Sequence, residues 1–258
     1  MNRFFGFGED YFNEFGKFHA FTPEHFLMLA GCLLLWIVVP LAMKNRNDRA
    51  QAVFRICLAF FMMSAESSWY IWYGIQHGLD VKISLPLQLC SFALYSSLFL
   101  LFTGRQIFFE MSYFLGLGGA LQALITPNLE YHFPHVRWYH FTVIHFTLIL
   151  VPLYFIIVHG YRITWKSLLR AMGISTLLML FVMLMNRILG ANYMFINGQP
   201  EFPSMIDLFV NVFGPWPYYI AGMLLLAFFI FIILYLPFGE QQLTALIKAK
   251  RKESGSLR

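Results

Sequence analysis

The sequence predicts an all-α, polytopic transmembrane bundle of seven helices, with the N-terminus outside and the C-terminus inside. Three observations lead there. First, 59% of the 258 residues are hydrophobic and 12% are charged, whereas soluble domains carry about 25% charged residues. That much apolar surface cannot be buried in one water-soluble core, so the excess must face lipid. Second, the chain divides into seven apolar segments near the length of about 20 residues that a hydrocarbon core of about 30 Å demands. Third, Lys and Arg alternate unevenly between the connecting loops. The side holding Lys44, Arg46, Arg49, Arg55, Arg105, Arg162, Lys166, Arg170 and the C-terminal cluster carries 13 of them, the other side 5. The richer side is expected to be cytoplasmic.

The first segment runs from about Pro23 to Met43, with Pro23 suited to a helix start. The second covers Ala50 to Gly74, and the third covers Leu85 to Phe102 beside Pro86. The fourth, Ile107 to Thr126, ends before Pro127 and carries a stripe of small residues, Gly116, Gly119, Ala120 and Ala123, that suits close helix packing. The fifth, Arg137 to His159, contains Pro152 as a kink site. The sixth is Leu168 to Leu189, and the seventh, Pro217 to Leu236, stops at Pro237. The whole reads as one transmembrane domain, 1–258: an interfacial segment over 1–22, the bundle over 23–237, and a basic cytoplasmic tail over 238–258, whose end KAKRKESGSLR (248–258) is expected to be disordered. In the first 22 residues Phe12, Phe15 and Phe18 recur at helical spacing, which fits either an amphipathic helix at the interface or a loop packed on the bundle end. Charges interrupt that stretch, so a cleavable signal is not expected.

Several function classes fall away. The net charge of +5 is explained by orientation, so no nucleic-acid partner is expected. Cys32, Cys57 and Cys90 lie in apolar runs without CxxC spacing, which argues against a disulfide or zinc framework. The histidines of YHFPHVRWYH lack an i, i+4 pair with a carboxylate cluster, so neither metal nor cofactor is expected. The seventh segment has no lysine for a retinal Schiff base.

Ionisable residues inside a membrane are costly and mark functional sites. Here they gather in the outer halves of the segments. Glu66 and His145 each lie about 12 Å deep and Cys90 about 8 Å deep, at 1.5 Å per residue. Gln88, Ser91, Gln122, Asn186 and Asn192 share that half, and the inner halves are almost wholly apolar. Cys90 and His145 form a candidate nucleophile and base, since a thiolate can take an acyl group and a near-neutral imidazole can accept the thiol proton. Ordinary core packing is the competing account of Cys90. Glu66 suits a proton carrier or a group that orients a histidine; Gln88 and Asn192 are further orienting or oxyanion candidates. His135, Arg137 and His140 suit a lipid headgroup phosphate, or else an interfacial belt with Trp138 and Tyr139.

The segments SLPLQLCS (84–91), FFEMSYFLGLGGALQALITP (108–127), FPHVRWYHFTVIH (133–145), NYMF (192–195) and GPWPYYI (214–220) together resemble the bacterial YwaF-type integral membrane proteins. That family is similar to eukaryotic multi-pass acyltransferases of ether phospholipids, and more distantly to androgen-induced membrane hydrolases of fatty-acid esters. The resemblance covers nearly the whole chain. It implies a multi-pass protein of the bacterial plasma membrane, a membrane phospholipid or other acyl lipid as partner, and Cys90 and His145 as nucleophile and base. The hydrolases use threonine where this chain has Cys90, and Ser91 stands beside it as the other candidate nucleophile. A small proton-coupled transporter or channel, and a non-catalytic lipid-binding protein, are the alternatives.

Overall fold

The structure is a computed structural model that describes residues 3–200 and 205–255. Among these the secondary structure is entirely helical. The helices are α1 (Gly8–Phe15), α2 (Pro23–Lys44), α3 (Asp48–His77), α4 (Leu89–Thr103), α5 (Gln106–Ile125), α6 (Val136–His159), α7 (Trp165–Leu189), α8 (Met205–Phe213) and α9 (Tyr219–Gly255). Five of them are long and apolar enough to cross a membrane: α2, α5, α6, α7 and the Tyr219–Gly239 part of α9. α3 is longer but more polar, and α4 is apolar but has only 15 residues.

Helix ends follow local chemistry. Thr22 caps α2 by accepting from the His25 amide, with Pro23 in the first turn. Asn47 caps α3 by accepting from Ala50 N–H, which starts that helix at Asp48 rather than Ala50. Thr164 and Ser167 exchange side-chain and backbone hydrogen bonds at the start of α7.

Three sequence expectations are corrected. The third segment does not begin at Leu85: residues 85–88 are non-helical, because Pro86 disfavours the helical conformation at the preceding residue, and α4 starts at Leu89. α3 runs on to His77, so Glu66 lies about 16 Å from its end instead of about 12 Å. The last helix does not stop at Pro237. It continues to Gly255 with Pro237 inside it, carried by a run of strong helix formers, so most of the expected disordered tail is helical. Residues 256–258 of that tail lie outside the described residues.

The chain forms two compact units. The first, Met1–Tyr161 with Leu189–Ala191, contains α1 to α6. α6 is its centre, packed against α2, α3, α4 and α5. The most apolar window of α6 is 56% buried against 17% for α2, so α6 faces protein on several sides and most of α2 is left uncovered by the rest of the chain. α5 contains a π-helical stretch, Ser112–Ala120. Within it Gly116 lies so near α6 that a Cβ there would sit 2.6 Å from the Leu148 carbonyl oxygen. The small-residue stripe is therefore a packing surface. At the head of the π stretch, the Ser112 and Ser97 hydroxyls hydrogen-bond at 2.7 Å and tie α5 to α4.

The N-terminal segment is packed on the ends of α3 and α6. Tyr11 is fully buried and Phe18 is 5% exposed. Tyr11 and Phe12 pack on Tyr131, and Phe7 packs on Trp72 and His77. The backbone is tied as well: Trp72 Nε1 donates to the Phe5 carbonyl and Val136 N–H to the Phe4 carbonyl. The segment combines features of both readings: it is helical over Gly8–Phe15, and it is packed on the ends of α3 and α6.

In the second unit, Arg162–Ile188 with Asn192–Arg258, the loop after α7 is fastened by side chains. The buried Asn186 donates to the Tyr193 carbonyl and accepts from the Tyr193 amide, both at 2.9 Å. Trp216 Nε1 donates to the Ile196 carbonyl and the Tyr219 hydroxyl to the Phe195 carbonyl.

Candidate functional site

α3, α4 and α6 together bring five ionisable or nucleophilic side chains into one cluster inside the first unit. Glu66 comes from α3, Cys90 from the first turn of α4, and Arg137, His140 and His145 from α6. Three of them form a hydrogen-bonded chain. Arg137 Nη1 lies 2.8 Å from His140 Nδ1, and His140 Nε2 lies 3.0 Å from Glu66 Oε2. A guanidinium can only donate. His140 Nδ1 must then be the accepting nitrogen, so Nε2 carries the hydrogen and donates to the Glu66 carboxylate. The imidazole is thereby neutral and sits between a fixed positive and a fixed negative charge. The side chains of His140 and Glu66 are 12% and 19% exposed, so both ends of this bond are largely shielded from solvent. Trp69 stacks on the His140 ring and on Tyr73, walling the pair on one side.

His145 lies below, on the same helix. Its Nδ1 is 2.8 Å from the Phe141 carbonyl oxygen. A carbonyl only accepts, so Nδ1 bears the hydrogen and Nε2 keeps its lone pair. The helix backbone thus holds His145 in the tautomer that a general base requires. Its electrostatic neighbours are Arg137, His140 and Glu66. The Cys90 thiol is partly buried and feels the charges of Glu66 and Arg137, and the Ser91 amide faces its sulfur. Cys90 is the second residue of α4, so it sits in the first helical turn, where the Ser91 amide also donates to the Gln88 carbonyl at 3.0 Å. Ser91 is 9% exposed and lies one position along that turn.

The other residues anticipated from the sequence are placed elsewhere or differently. Arg137 and His140, expected to meet a headgroup, are joined to each other and to Glu66. His135 is fully buried, and both its ring nitrogens are engaged. Nε2 donates to the Gly6 carbonyl at 2.8 Å, and Nδ1 accepts from the Arg137 amide at 3.1 Å, capping α6. Burial pushes its pKa below the ordinary histidine value, with the nearby Arg137 charge acting in the same sense and the bond to Gly6 opposing. Gln88 is the N-cap residue of α4, with no capping bond from its side chain. Asn192 belongs to the second unit, where its amide accepts from Asn197 N–H and donates to the Gly198 carbonyl. It closes a loop there. Among the described residues no group of three or more His, Cys, Asp or Glu is arranged to hold a metal ion.

Two residues were missed by sequence reasoning: Trp69 and Tyr95. Glu66, Trp69 and Tyr73 are spaced i, i+3, i+7, which puts them on one face of α3, and that spacing was readable. Tyr95 on α4 has Glu66 as its charged neighbour, and no local pattern announces it.

Comparison with known proteins finds matches over most of the chain, though not to proteins named as YwaF-type. The chain is 27% identical over 232 residues to an uncharacterized protein of Treponema pallidum (strain Nichols), covering 90% of this chain and 92% of that one. No solved structure matches. The profile of the TMEM164 family matches residues 20–235, and the chain belongs to that family of membrane proteins.

Proposed function

We propose that this protein is a lipid acyltransferase or transacylase. Cys90 attacks an acyl ester, and His145 takes the thiol proton on Nε2 and returns it to the leaving alcohol. The observation that carries this reading is the convergence of Cys90 with Glu66 and Arg137, themselves joined through His140, near a histidine whose tautomer is fixed by the Phe141 carbonyl. The motif resemblance to ether-phospholipid acyltransferases supports it. In this reading the protein lies in a bacterial plasma membrane with seven spans, N-terminus out, so the cluster serves the outer leaflet. The charge asymmetry of the loops supports the orientation, and the spirochaete relative supports the source. An activity-based acyl-ester probe tests the reading. Wild type and Ser91→Ala should be labelled and Cys90→Ala should not; equal labelling of wild type and Cys90→Ala would sink it.

The Glu66–His140 bond favours a second reading, a small proton-coupled transporter, since carboxylate–imidazole pairs in membranes carry protons. It requires proton or solute flux in liposomes that disappears in Glu66→Gln.

A further inference from the structure

Acyl transfer creates a charge that the nucleophile and base do not handle. When a thiolate adds to an ester carbonyl, the carbonyl oxygen becomes an oxyanion. In a low-dielectric site that charge needs a donor held in place beforehand. Gln88 and Asn192 were the amide candidates for it. Asn192 is committed to its own loop in the second unit.

Arg137 is better placed. It has five N–H donors, and the bond to His140 Nδ1 takes one of them. That bond fixes one edge of the guanidinium, because His140 is itself fastened to Glu66. The first turn of α6 is pinned too, with the Arg137 amide donating to His135 Nδ1. A guanidinium is therefore anchored at both its backbone and its head. Cys90 and Arg137 are each within the other's electrostatic reach. The positive charge is balanced by Glu66 at a distance, across a neutral ring, which leaves the guanidinium able to meet a new anion.

We propose that Arg137 is the oxyanion-binding residue of the Cys90 site, resting on the acyl-transfer reading above. The steps balance without further reactants than an acyl ester and an acceptor alcohol. The Cys90 sulfur forms a bond to the acyl carbon as its proton passes to His145 Nε2. The carbonyl π electrons move onto oxygen, where Arg137 meets them. Collapse re-forms the carbonyl and breaks the ester C–O bond, and the departing alkoxide takes the proton from His145. The acceptor hydroxyl then attacks the thioester by the same path in reverse. His140 and Glu66 are positioning residues, acting through Arg137.

The test compares two reactions of the same thiol in the full-length protein in detergent micelles. A p-nitrophenyl acyl ester modifies Cys90 through an oxyanion; iodoacetamide modifies it by displacing iodide, with no charge formed on oxygen. Changes in thiol ionisation or access affect both rates, so the readout is their ratio. Arg137→Gln should lower the ratio of acylation to alkylation about 100-fold, and Arg137→Lys, which keeps the charge but not the fork, should lie between. An unchanged ratio in both variants overturns the assignment of Arg137 while leaving acyl transfer standing. Wild-type Cys90 that is alkylated but never acylated overturns the acyl-transfer reading and this assignment with it.

Discussion

Arg137 and Glu66 are linked through one neutral imidazole, the Arg137 guanidinium donating to His140 and His140 donating to the Glu66 carboxylate. The two charges compensate each other without touching. Removing either end leaves the other charge in a largely desolvated place, which is costly, whereas replacing the carboxylate by an amide keeps an acceptor. Glu66→Leu is therefore expected to destabilise the first unit by about 3–5 kcal/mol. Glu66→Gln also removes the compensating charge but keeps an acceptor for His140, and is expected to cost less, about 2 kcal/mol. Unfolding in detergent separates the two; equal losses would contradict the relay.

The approach of α5 to α6 can be tested by glycine substitution. A Cβ on Gly116 would meet the Leu148 carbonyl at 2.6 Å, backbone that cannot swing aside, while one on Gly119 would touch Leu89 Cδ2 at an ordinary 3.7 Å. Gly116→Ala should lose about 1–3 kcal/mol through overpacking, and Gly119→Ala much less. Thermal unfolding of the pair measures the difference.

Acid should loosen the N-terminal cap. Unfolded, His135 titrates near 6.5; folded, its pKa is lower because the ring is buried. Between those values the unfolded chain binds a proton that the folded chain does not, so stability is complete above about pH 6.5 and declines as pH falls through it. A proton on Nδ1 would also remove the acceptor of the Arg137 amide. Amide exchange in residues 3–18, corrected for intrinsic rates, should rise from about pH 7.5 to about pH 5.5, and His135→Asn should flatten that dependence.

Asn186 makes a matching prediction for the second unit. Asn186→Leu strands the Tyr193 amide and carbonyl in a buried place, at about 1–3 kcal/mol for each unsatisfied group. Limited proteolysis should then cut the loop of residues 190–200 faster than in wild type, with the first unit unaffected.

Much of the architecture was legible because spanning a membrane imposes length and hydropathy on each helix, and those are local properties. What misled was equally local in appearance. Pro86 sat inside an apolar run and looked like the start of a helix, yet its ring excludes Leu85 from the helical conformation and moved Cys90 into the first turn of α4. Pro237 looked like a terminus, but the helix formers beyond it carry α9 onward. Glu66, Cys90 and His145 could be singled out since polar groups below the interface are rare. Their arrangement could not, because His140 is separated from Glu66 by 74 positions and no pattern along the chain specifies which residue an arginine at a helix start will meet. His135 read as an interfacial group for the same reason; its acceptor, the Gly6 carbonyl, lies 129 positions away.

The π-helical stretch of α5 bears on descent as well as on packing. Such stretches amount to an extra residue taken up within an α-helix. Deleting one residue between 112 and 120 would let the stretch tighten into an ordinary α-helix, and the turn beyond it, Leu121–Ile125, would keep the face it presents now. The wider winding absorbs the added residue where it stands. A relative one residue shorter in this stretch can therefore pack its helices in the same way, with α-helical winding where this chain is π-helical.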